Sequence, residues 1–158
     1  MRQIILLAPL IVIALAALAP MLVLIAIGRV LRHLWLSYRV RMTWPSDKVA
    51  LLSYTTNAKW SDYLETRVIP LIGSRCVVVH RSDAQWKEKK PLAAQLIEFY
   101  GDDTSYNPLA IVLRRRGWPK VFYLYEPFQK AHRGDTSALE AITAKLREAV
   151  RYESQRVS

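Results

Sequence analysis

The chain holds a single cysteine, Cys76. That one thiol excludes an intrachain disulfide, a CxxC redox pair and a cysteine-rich zinc site. The three histidines, His33, His80 and His132, stand far apart without ligand spacing, so neither a metal nor a cofactor is expected. No internal repeat or low-complexity stretch occurs, and acidic residues are missing altogether before Asp47. A nucleic-acid partner is not expected either. Residues 46–158 carry 18 basic and 13 acidic side chains, only +5 of the total +10, and the bases form no aromatic-interleaved stripe.

What is present begins with a hydrophobic run. Ile4 to Ile27 is 24 consecutive residues without a charge, amide or hydroxyl. As a helix it spans about 36 Å, against a hydrocarbon core of about 30 Å. Ala17-Leu18-Ala19 also fits a signal-peptide cleavage site. Three features favour a retained anchor: Pro20 would follow the cut, hydrophobicity continues through Met21 to Ile25, and the run exceeds a usual signal core. Arg29, Arg32, Arg39 and Arg41 follow the run, whereas Arg2 alone precedes it. Basic flanks tend to stay inside, which predicts a single-pass protein with residues 28–158 in the cytoplasm.

Residues 28–45 read as a basic amphipathic helix and linker. At 100° per residue Val30, Leu31, Leu34, Trp35, Tyr38 and Met42 share one face. Trp35, Tyr38 and Trp44 suit the interfacial aromatic belt, and Arg29, Arg32, Arg39 and Arg41 are candidate partners for anionic lipid headgroups. Pro45 disfavours helix at Trp44 and closes the segment.

Residues 46–152 alternate strand and helix, with 153–158 left as a tail. Val49–Tyr54 and Cys76–His80 read as short buried strands. Between them, Trp60, Tyr63, Leu64, Val68, Leu71 and Ile72 share a helical face that Pro70 kinks or ends and Gly73 stops. Ser82 or Asp83 caps a helix carrying Trp86, Leu92, Leu96, Ile97 and Phe99, and Asp102–Asn107 is a polar loop. Pro108–Leu113 and Val121–Tyr125 form an antiparallel hairpin, a loop follows around Glu126–Gly134, and a last helix carries Leu139, Ile142, Leu146 and Val150. The fold class is α/β: a transmembrane helix followed by a small three-layer domain of order β-α-β-α-β-β-α.

That order, with a proline opening the third strand and a hairpin before the last helix, resembles the thioredoxin fold. The resemblance rests on the VALLSY strand, the helix after Trp60 with Pro70, the Asn107-Pro108 entry to PLAIVL and the closing helix. It implies a cis Asn107–Pro108 bond facing the position of the family's CxxC. At that position stands Thr55-Thr56-Asn57-Ala58-Lys59-Trp60-Ser61, so dithiol chemistry is not expected. The same resemblance implies that Asn57, Lys59 and Trp60 lie beside Asn107 and Pro108 as a protein-partner surface, with Trp60 as anchor or as core. LLSYTTNAKWSDYL also resembles the opening strand and helix of TIR domains, which implies a signalling domain with five parallel strands.

Other candidates are weighed by their chemistry. Cys76 precedes three valines and reads as a small buried hydrophobe unless Arg75 or His80 activates it. Asp102-Asp103 reads as a solvated turn or as paired carboxylates for a cation. Arg114, Arg115 and Arg116 read as a soluble hairpin tip or as an anion site. The expectation is a membrane-anchored, redox-inactive binding or assembly module with the lipid bilayer and a protein as partners. A thiol- or phosphate-handling enzyme using Cys76 or the arginine run is the alternative. We expect the mature chain to keep its first twenty residues and to stay in the membrane pellet through alkaline carbonate. A mature terminus near Pro20, with release by carbonate, would contradict the anchor.

Overall fold

The computed structural model describes residues 2–81, 91–101 and 107–156, with side chains described from Leu18 onward. The chain divides into two compact units, Met1–Tyr38 and Arg39–Ser158.

The first unit is helical throughout. Helix α1 (Arg2–Thr43) passes through Pro9 and Pro20 and stops ahead of the Trp44–Pro45 pair. It is long and apolar enough to cross a membrane; its 42 residues extend about 63 Å, roughly twice a hydrocarbon core. From Leu18 to Ile27 its large apolar side chains are exposed, Leu24 by 69%. A helix of a soluble core would bury such a face; this one has no protein cover among the described residues. The aromatic and apolar face that follows, Val30, Leu31, Leu34, Trp35 and Tyr38, is exposed as well.

The second unit is built on a four-stranded mixed sheet. Strand β1 (Ala50–Tyr54) is buried at all five positions, as an apolar run without alternation requires. The chain then turns through Asn57. Its side-chain Oδ1 accepts the Lys59 N–H at 3.0 Å, and its carbonyl accepts the N–H groups of Trp60 and Ser61. Helix α2 (Ser61–Tyr63) leads into a π-helical turn, Leu64–Val68, and then α3 (Ile69–Ile72).

The helix does not end at Pro70, which corrects that half of the expectation; a π turn stands just before the proline. A proline in a regular α-helix clashes with the carbonyl four residues back. Here the Ile69 N–H bonds the Leu64 carbonyl five residues back, and the widened turn carries the chain past Pro70 to Ile72. A 3₁₀ turn, Gly73–Arg75, feeds directly into β2 (Cys76–His80).

Helix α4 (Leu92–Tyr100) starts directly after Pro91 and turns Leu92, Ala93, Leu96 and Ile97 inward. The expected cap at Ser82 or Asp83, Trp86 and the Asp102-Asp103 pair lie outside the described residues. Strands β3 (Leu109–Val112) and β4 (Lys120–Tyr123) form the expected antiparallel hairpin. Its connection turns at Gly117 (φ 87°), and Trp118 stacks on Phe99 with ring centroids 6.1 Å apart, tying the tip to α4.

A second correction concerns the stretch after β4. It is a helix, α5 (Tyr125–His132), and not a loop. Pro127 falls within its first turn, where a missing N–H leaves no helical bond unmade, and Glu126 there complements the helix dipole. Gly134 (φ 98°) reverses the chain. Helix α6 (Ser137–Gln155) follows, its first turn capped by Asp135 Oδ1 accepting the Ser137 N–H at 3.1 Å. The Ser137 hydroxyl, which also donates to Oδ1, and then this N–H hold the Asp135 carboxyl below its ordinary pKa. Because α6 runs to Gln155 and buries Glu153, the expected tail begins as helix over 153–155.

The sheet order is β2-β1-β3-β4, with β1 parallel to β2 and antiparallel to β3. Alternation assigns the two faces of its central strands. Ala50, Leu52, Tyr54, Ala110, Val112 and Phe122 join the core formed with Leu64, Val68, Phe128, Leu146 and Val150. Leu51, Ser53, Leu109 and Ile111 are buried on the opposite face. Leu52→Ala is expected to cost about 2–5 kcal/mol of stability, read as a large drop in the unfolding midpoint of the full chain in detergent.

Candidate functional site

Two regions of the second unit concentrate polar chemistry, at opposite ends of the sheet. The first lies at the C-terminal ends of the parallel strands β1 and β2. Asn107 is buried and bridges this end. With its carboxamide set by its neighbours, Nδ2 donates to the Ser53 carbonyl and Oδ1 accepts the Thr55 N–H, each at 3.0 Å. The Asn107–Pro108 peptide is cis, and Pro108 is buried. These bonds bring the loop after β1 beside Asn107 and Pro108.

The same geometry reduces what that loop offers a partner. Trp60 is only 8% exposed. Its Nε1–H donates to the Thr55 carbonyl at 3.1 Å, and its ring lies 6.2 Å from Tyr125 and 6.4 Å from Phe128. Trp60 is therefore a core residue and not an exposed anchor. Asn57 is half-buried and engaged in its own turn, while Lys59 is exposed. Next to them Tyr54 is 1% exposed, with its Oη 3.1 Å from Glu65 Oε1 and 3.4 Å from His80 Nε2. Burial, together with the hydrogen bond and charge of Glu65, pushes the Tyr54 hydroxyl up to about 12. It stays a protonated donor that locks the π turn onto β1.

Cys76 sits at the other end of the sheet, paired with Ala50 where Tyr54 pairs with His80. Four residues of strand, about 13 Å, separate the two levels. The thiol is buried, and desolvation pushes it up to about 12 despite a lowering bond from the Leu52 backbone and the charge of Lys48. It is a packing atom, not a thiolate nucleophile.

The second region gathers around the β3–β4 connection. Glu153 is buried (4% exposed), and its Oε2 accepts the Arg115 N–H at 3.3 Å while Oε1 lies 3.9 Å from Arg114 Nε. The Arg115 guanidinium donates to the Arg156 carbonyl at 2.6 Å, and the Arg41 guanidinium donates to the Arg115 carbonyl at 3.0 Å. One carboxylate and two carbonyls thus hold four arginines together. The expected run is split: Arg114 lines a cleft, Arg115 is turned to the end of α6, and Arg116 is exposed.

That cleft has a volume of about 450 Å³ and lies between the start of β4 and the second half of α6. Its lining carries four cations, Arg114, Lys120, Lys145 and Arg151, against two carboxylates, Glu148 and Glu153. Among the described residues Lys145 and Arg151 make no ion pair, so the cleft keeps a positive surplus. Lys120 lies over the Phe122 ring, 5.1 Å from its centroid. Sequence spacing gives no hint of this cleft, because Lys120 and Lys145 become neighbours only through the packing of α6 beside the hairpin.

Of the four arginines expected at headgroups, Arg29 and Arg32 are exposed on α1, Arg39 is half-buried, and Arg41 is committed to the Arg115 carbonyl. Among the described residues no cluster of histidine, cysteine and carboxylate groups is placed to hold a metal. The chain matches no family model, no curated protein and no solved structure.

The pKa positions give a signed expectation. For Cys76 and Tyr54 the folded value lies above the unfolded one, near 8.5 and 10 respectively. Their contribution to stability is therefore complete below about pH 8.5 and is lost as pH rises toward about 12. Thermal midpoints in detergent should hold from pH 7 to 8.5 and fall above pH 9, less steeply in Cys76→Ala. Iodoacetamide should label Cys76 at pH 8 only after unfolding; rapid native labelling would contradict the buried thiol.

Proposed function

We propose that this is a single-pass membrane protein whose second unit is a redox-inactive, thioredoxin-like binding module. The observation that carries the reading is the sheet order β2-β1-β3-β4, with Asn107 bridging the end of β1 and a proline opening β3. This is the strand arrangement expected of the thioredoxin class, and the loop in the dithiol position, Thr55–Ser61, contains no cysteine. Cys76 stands buried at the other end of the sheet, its thiol pushed up by desolvation, which weighs against the thiol-enzyme alternative. A mixed sheet of four described strands likewise favours this reading over a TIR-like domain.

In this reading α1 crosses the bilayer with residues 4–27, and the second unit lies on the cytoplasmic side. Along the helix Arg29 and Arg32 stand about 3 and 8 Å past Ile27, within a headgroup layer some 5–8 Å deep on each side. Arg39 and Arg41 stand about 18 and 21 Å past it. Headgroup contact therefore belongs to Arg29 and Arg32, and Arg41 instead braces the hairpin.

Affinity capture with the full chain, solubilised from its own membranes in mild detergent, tests this function. The same protein partner is expected with wild type and with Cys76→Ser. Capture lost in the serine variant, or no partner at all, would overturn the redox-inactive module.

A further inference from the structure

Among the described residues the cleft gathers cations in a concave surface with fewer carboxylates than it has positive charges. At the far end of the sheet Tyr54, Trp60 and Asn107 spend their polar atoms on Glu65, Thr55 and Ser53. In the cleft, four cations face two carboxylates, and Glu153 is already engaged by the Arg115 N–H. A positive surplus on a concave wall attracts anions and disfavours cations.

The shape of the cleft decides which anion. Arg114 lies against Glu153, whereas Lys145 is eight residues nearer the start of α6, about 12 Å along the axis. A single phosphate meets one end of such a row and leaves the other unpaired. An extended chain covers the same distance in about four residues, with side chains of one face recurring roughly every 7 Å. The border of the cleft is also suited to main chain. Lys120 begins β4, which ends the sheet order, so its outer backbone edge has no neighbouring strand among the described residues.

We infer that the cleft between β4 and α6 takes an extended, acidic segment of a protein partner, held by Lys120, Lys145, Arg114 and Arg151 and paired along β4. This rests on the binding-module reading and gives that module its partner chemistry. The segment's carboxylates meet the cleft's cations, of which Lys145 and Arg151 hold no ion pair among the described residues, while its backbone continues the sheet.

The test uses the full chain in nanodiscs of neutral lipid and a fluorescein-labelled ten-residue peptide of alternating glutamate and valine. Anisotropy should show saturable binding that weakens as salt rises. The double reversal Lys120→Glu/Lys145→Glu should bind at least ten-fold more weakly. Arg67→Glu, a reversal of an exposed charge on the π turn outside the cleft lining, should bind as wild type does. Thermal melts confirm that the variants fold, and the milder Lys145→Gln should still lose about three-fold. Equal affinity of wild type and the lysine variants would overturn the inference. So would binding of inorganic phosphate or phosphatidylserine vesicles at these lysines without binding of the peptide. A captured partner held equally by the double reversal would overturn the cleft and leave the module standing, whereas no captured partner would remove both.

Discussion

Burial of β1 on both faces is the constraint from which the second unit is organised. All five of its side chains are withdrawn from water, so each face needs its own cover and each edge its own strand. β2 supplies the parallel edge and β3 the antiparallel one. Once that is fixed, the sheet has two chemically different ends. At the C-terminal end of β1 the chain must leave through Thr55, and Asn107 closes the gap by bonding two backbone groups on either side of the exit. At the N-terminal end lie Cys76, the hairpin tip and Arg114–Arg116. The separation of thiol from loop follows from strand register alone.

The charges follow a related logic. Adjacent arginines repel, and three in a row on a hairpin need acceptors. Among the described residues one carboxylate, Glu153, lies within reach of them, and that group is buried. The Arg156 carbonyl takes the Arg115 guanidinium and the Arg115 carbonyl takes that of Arg41, both accepting hydrogen bonds without cancelling charge. Geometry is thereby satisfied while net charge is not. A hairpin held this way keeps its shape and still presents a positive field, which is the condition for recruiting an anionic partner without collapsing onto an internal one.

Much of this architecture was legible in the residues. The apolar run, the four strands, the hairpin and the last helix were readable because each depends on local periodicity or on an unbroken β-branched stretch such as Val77–Val79. What escaped was set by context. Pro70 and Pro127 carry the same sequence signal, yet one is accommodated by a π turn and the other by a first-turn position. Trp60 reads equally well as anchor or core, and only the approach of Tyr125 and Phe128 from a helix that sequence reading left as loop decides it. The cleft was invisible for the same reason: no local pattern tells Lys120 that Lys145 will stand across from it.

The two ends of the sheet also differ in what they have left to give. A group already bonded inside the protein must break that bond before it can hold a ligand, so its net gain on binding is small. Tyr54, Trp60 and Asn107 are in that position. Lys145 and Arg151 hold no ion pair among the described residues and lose only water when an anion arrives. An exposed pair of this kind is worth little singly, but several along one wall, beside an open strand edge, act on the same segment and share a single ordering cost. With no cysteine in the Thr55–Ser61 loop, the second unit carries its unspent cations at the opposite end of the sheet from the position that thiol chemistry would occupy.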